Sequence, residues 1–158
     1  MKRFRALLIF MAASAVSFVS CKKDEPAPPE PSQVPRTVLV YMAANNNLGS
    51  NQFDAMDIAE MKTGADKGYT GDGRLLVYHA PYNKDPLMLE IRKGRIDTLK
   101  TYDRGLMSVD AARMRQVFAD VKALAPADDY GLILWSHGTG WIHDGIAGDT
   151  RQRSFGEG

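Results

Sequence analysis

Three stretches of the chain are apolar without alternation: Thr37 to Ala43, Arg74 to His79 and Tyr130 to Trp135. A run that offers no polar face predicts a strand covered on both sides, as in a parallel sheet. Between them the spacing turns helical. Phe53, Met56, Ile58, Ala59 and Met61 outline an apolar side, with Ser50 or Asn51 as the cap. Asp54, Asp57 and Glu60 share the helical spacing and read as a solvated face. Gly64, Gly68, Gly71 and Gly73 then mark a loop. A second helix is predicted from Ser108 as cap through Val109, Ala112, Val117, Val121 and Leu124, stopped by Pro126. Residues 87–92 and 95–102 flank Lys93-Gly94 as a hairpin.

Strands that alternate with amphipathic helices argue for an α/β fold, a parallel sheet flanked by helices on both faces. Binding and catalysis in such sheets lie outside the carboxyl ends of the strands. Asn45 to Asn47 and His137 both follow such ends. After Trp141 no further apolar strand or helix arrives before Gly158, so the sheet is expected to be incomplete at its C-terminal side.

The first residues have a different character. Met1 to Arg5 is a basic head and Ala6 to Val19 is apolar or small, short for a membrane span. Ser20-Cys21 follows, and the whole resembles a bacterial lipoprotein signal, with residues 1–20 removed and Cys21 acylated; Phe18 stands where Leu is usual. Cys21-Lys-Lys-Asp-Glu25 resembles the export tag of surface lipoproteins, which implies an outward-facing protein on the outer membrane; read from its residues alone it is equally a solvated charge run in a tether. Residues 21–35, with five prolines from Pro26 to Pro35, read as a semi-rigid tether, and the domain is expected over 36–158.

Composition changes this picture in two respects. The formal net charge of +1 without basic clusters beyond the N-terminus gives no electrostatic footprint for nucleic acid. Cys21 is the sole cysteine, which excludes an internal disulfide and a thiolate metal cluster.

The densest chemistry is Leu132-Ile-Leu-Trp-Ser-His-Gly-Thr-Gly-Trp141. An imidazole at a strand end can move a proton near neutral pH, and Gly138 lets a backbone N–H approach a substrate carbonyl. A histidine beside glycines is also a common turn residue. Ser136 lacks the glycine two positions earlier that a nucleophile elbow requires. His137, His143, Asp144 and Asp149 follow no metal-ligand spacing, and Gly138-Thr139-Gly140 precedes no P-loop lysine. Trp135 and Trp141 read as core or loop anchors.

Three blocks carry a family resemblance: Val38 to Leu48, Asp57-Ile-Ala-Glu-Met61, and Leu134 to Trp141. In that order they resemble the clostripain family of cysteine peptidases, across roughly Arg36 to Gly158. The resemblance implies a caspase-like fold, cleavage of peptide bonds after Arg or Lys, and a Cys–His dyad in which His137 is the histidine. Asn45 stands where the family often has Asp. The resemblance further implies no essential cofactor, with calcium as a structural ion whose ligands are not assigned. The family's nucleophile ends the core strand after the histidine, preceded by an acid that holds the substrate's basic side chain. Neither residue is present, so the chain is expected to be an inactive, histidine-bearing N-terminal portion whose cysteine lies on further sequence. Either the reading frame is incomplete, the favoured account, or a nick after Arg151 or Arg153 has divided the protein. A non-catalytic surface lipoprotein that binds peptides is the alternative; a hydrolase built on Ser136 or His143 is a third.

Overall fold

The computed structural model describes residues 32–137. Five strands form one sheet: β1 (Val34–Ala43), β2 (Arg74–Ala80), β3 (Leu87–Arg92), β4 (Arg95–Thr101) and β5 (Ala127–Trp135). Their spatial order is β4-β3-β2-β1-β5. β1 pairs in parallel with β2 and with β5, while β3 and β4 form an antiparallel hairpin attached to β2. The expected α/β sheet flanked by helices is present: its parallel part is β2-β1-β5, and the expected hairpin extends it with two antiparallel strands. Its parallel part lies between α2 (Phe53–Asp66) and α3 (Ala111–Leu124), which cover opposite faces.

Alternation along β1 divides the core. Leu39 and Tyr41 join Leu76, Tyr78, Met88, Tyr102, Val117 and Val121 under α3. Val40 and Met42 join Val77, Leu89, Ile91, Ile58 and Ala65 under α2. β1 has partners on both sides from Thr37 onward, but Val34 to Arg36 face β5 alone. Pro35, which has no N–H to donate, is tolerated there, and the strand begins two residues before the expected domain start.

Several elements differ from the sequence pattern. A short helix α1 (Asn47–Ser50), capped by the Asn46 side chain on Leu48 N–H, precedes α2. α2 starts after Gln52, whose φ of 63° is left-handed, and runs through Gly64. Phe53 and Met56, expected to face the core, are exposed, whereas Asp54 is buried. Ser108 caps no helix; α3 begins after Asp110. Ser108 instead accepts the Tyr41 hydroxyl at its carbonyl (2.7 Å) and pairs its own hydroxyl with that of Tyr78 (3.3 Å). β5 is the largest departure. Its pattern demands burial on both faces, yet it lies at the edge of the described sheet, with Leu132, Ile133 and Leu134 about half exposed.

Candidate functional site

The carboxyl ends of β1 and β5 lie side by side, since Met42 and Trp135 are register partners. Beyond that pair the backbone of β1 turns through Asn45 and Asn46 into α1, and β5 runs into Ser136 and His137. Side chains tie the two exits together. Ser136 Oγ donates to the Ala43 carbonyl (2.8 Å), and Asn46 Nδ2 donates to that carbonyl (3.2 Å) and to Ser136 Oγ (3.3 Å). Asn45 Oδ1 accepts the Asn83 N–H (3.0 Å), which joins the β2 exit to the same end. His137, partly exposed, bonds through Nε2 to Asn47 Oδ1. The strand pattern puts Asn45 to Asn47 and His137 at the same end of the sheet, and the structure brings Asn47 into contact with His137 and Asn46 into contact with Ser136.

Below these loops lies a polar layer that the sequence pattern did not reveal. His79, Met42 and Trp135 are aligned across β2, β1 and β5. His79 Nε2 meets Asp54 Oδ2 at 2.7 Å, and Trp135 Nε1 donates to Asp57 Oδ2 at 2.6 Å. Asp54 and Asp57 thus fasten the first turn of α2 to the two outer strands of the parallel part; only Glu60 of the three acids is on the solvated side. Their helical spacing matched that of Ile58 and Met61, but an acid on an inward stripe is legible only once its partner is known.

A cavity of about 130 Å³ opens at this end, lined by Ala43, Asn45, Ala80, Lys84, Arg104 and Met107 among others, with no carboxylate in its wall. Such a wall repels a lysine or arginine side chain.

The imidazole of His137 can exchange a proton with a neighbouring group, but no described residue supplies an activated nucleophile. Ser136 Oγ directs its proton to the Ala43 carbonyl rather than to an imidazole, which disfavours a serine mechanism. Among the described residues no group of three His, Cys, Asp or Glu side chains could hold a metal ion. Cys21, Gly138, Trp141, His143, Asp144, Asp149, Arg151 and Arg153 lie outside the described residues. No described helix is long and apolar enough to cross a membrane.

The sequence model of the clostripain family matches residues 40–157. No curated protein matches the chain. Among solved structures, a B. fragilis cysteine protease is 34% identical with a TM-score of 0.61, covering 73% of this chain and 98% of its own. An inactive zymogen C11 protease from Parabacteroides distasonis is 33% identical with a TM-score of 0.64, covering 72% of this chain. A secreted C11 cysteine protease from Bacteroides thetaiotaomicron, solved with an irreversible peptide inhibitor, is 37% identical with a TM-score of 0.60 over 69% of this chain. The present chain spans only 34% and 31% of these last two, so it corresponds to nearly all of one solved chain and to a third of the others.

Proposed function

The chain belongs to the clostripain family of cysteine peptidases, and from that premise we propose that it is the histidine-bearing portion of a surface-anchored endopeptidase that cleaves after Arg or Lys. The observation that carries this reading is the position of His137 at the carboxyl end of β5, the edge strand of the described sheet, where no described residue is a cysteine. Cysteine and acid come, in this reading, from further sequence that packs against β5. The half-exposed Leu132, Ile133 and Leu134 support it, as does an apolar groove of about 240 Å³ lined by Leu39, Phe118, Val121, Tyr130 and Leu132.

His137 takes the proton of the cysteine thiol, and the thiolate forms a C–S bond to the scissile carbonyl carbon. The Gly138 N–H, with that of the cysteine, holds the oxyanion. The proton then passes from His137 to the departing amine as the C–N bond breaks, and water, activated by the same imidazole, releases the acyl group. Cys21 is the acylated anchor, and calcium, if bound, is structural.

In the cysteine-containing enzyme, His137→Ala is expected to abolish cleavage of arginyl peptides, and a thiol-alkylating reagent to do the same to the unmodified protein. Near-normal turnover of the variant would remove His137 from the mechanism. Fatty-acid labelling that persists in Cys21→Ala would remove the anchor.

A further inference from the structure

The side chain that meets His137 is Asn47. An amide oxygen only accepts, so a bond between Asn47 Oδ1 and Nε2 requires the imidazole proton on Nε2. Resting on the peptidase reading above, we infer that Asn47 is a positioning residue: it holds His137 in the Nε2–H tautomer and so presents Nδ1 as the atom that receives the thiol proton. The bond persists when Nδ1 becomes protonated, because Nε2–H still donates, and the imidazolium formed in the thiolate ion pair keeps its orientation.

The surrounding structure holds Asn47 independently of His137. It is the first residue of α1, and its carbonyl accepts the Asn51 side-chain amide (2.7 Å), the Asn51 N–H (3.1 Å) and the Ser50 hydroxyl (3.2 Å). The preceding Asn46 caps the same turn and reaches across to Ser136, the neighbour of His137. The turn is pressed against the backbone just past β1 at Gly49, where a Cβ would stand 1.9 Å from the Ala44 carbonyl oxygen. Both ends of the Asn47–His137 pair are thus referenced to the Ala43–Ala44 backbone, which is what a fixed tautomer and ring orientation require.

The test uses the cysteine-containing enzyme. Histidine is isotopically labelled, the His137 resonances are identified by their loss in His137→Ala, and the ring-nitrogen shifts report the tautomer. Wild type is expected to give the Nε2–H signature. Asn47→Ala is expected to give a mixture and to lower kcat roughly 10- to 100-fold, a part of what a positioned base contributes, with KM little changed. Asn47→Asp, which keeps an acceptor oxygen at the same place, is expected to restore the signature and most of kcat. An Asn47→Ala enzyme with unchanged kcat, or one that loses kcat while keeping the wild-type tautomer, would overturn the inference. If Asn47→Ala does not fold, Asn47→Asp decides: a folded variant without the signature overturns it. His137→Ala separates the two levels, since retained turnover there sinks the peptidase reading, whereas loss there with a normal Asn47→Ala enzyme sinks only the role of Asn47.

Discussion

Gly49 is the residue at which the site has least room. A methyl group there would collide with the Ala44 carbonyl and come within 3.3 Å of the Tyr82 backbone nitrogen, neither of which is the free end of a side chain. Gly49→Ala is therefore expected to cost about 3 kcal/mol, the upper end of overpacking penalties, measured as a fall in denaturant midpoint. Glu90 is a second telling residue. It is almost fully buried, clasped by Arg74 (2.6 and 2.9 Å) and bonded to Arg92. Burial by itself would raise its carboxyl, but the hydrogen bonds from Arg74 and Arg92 outweigh burial and hold it below its usual 4.5. A depressed folded value means that the stabilisation is complete above pH 4.5 and is lost as pH falls through the folded value. Acid titration of stability should show this loss in the wild type and a weaker one in Glu90→Gln; identical acid profiles would deny Glu90 the role.

Among the elements, α2 shows what a sequence can and cannot disclose. The buried strands were legible because long apolar runs have few other uses, and the hairpin because Lys93-Gly94 separates two short strand-like segments; Gly94 indeed has a φ of 84°. The face of α2 was misread because the pattern counts apolar residues, while this helix starts on two carboxylates that find His79 and Trp135. Those partners lie 25 and 78 positions away, a relation that no local period contains. Trp135→Phe keeps the packing but leaves Asp57 without its donor, and is expected to cost about 1–3 kcal/mol; a neutral substitution would make the contact incidental. For the same reason Ser108 passed for a helix cap: its type suited the turn, and only the tertiary contacts with Tyr41 and Tyr78 reveal its actual use.

At the scale of the molecule, β5 joins fold to function. Its sequence is that of a strand covered on both faces, and its surroundings leave Leu132, Ile133 and Leu134 half exposed. The apolar run reported what the strand is suited to, which is a different matter from what lies beside it in this chain. An uncovered apolar edge templates association, so the isolated chain is expected to sediment as polydisperse oligomers. A lysine at Ile133 should reduce this association; a wild-type chain that stays monomeric would show that the edge is protected in some other way. In the proposed enzyme the same edge is where the cysteine-bearing sequence packs, beside His137. The most direct measurement is thus the turnover of an arginyl peptide by residues 1–158 alone and together with the cysteine-bearing sequence. No cleavage by the chain alone, and alkylation-sensitive cleavage once the second part is supplied, is the expected result. Cleavage by the chain alone, indifferent to thiol reagents, would contradict the assignment of His137 to a cysteine mechanism.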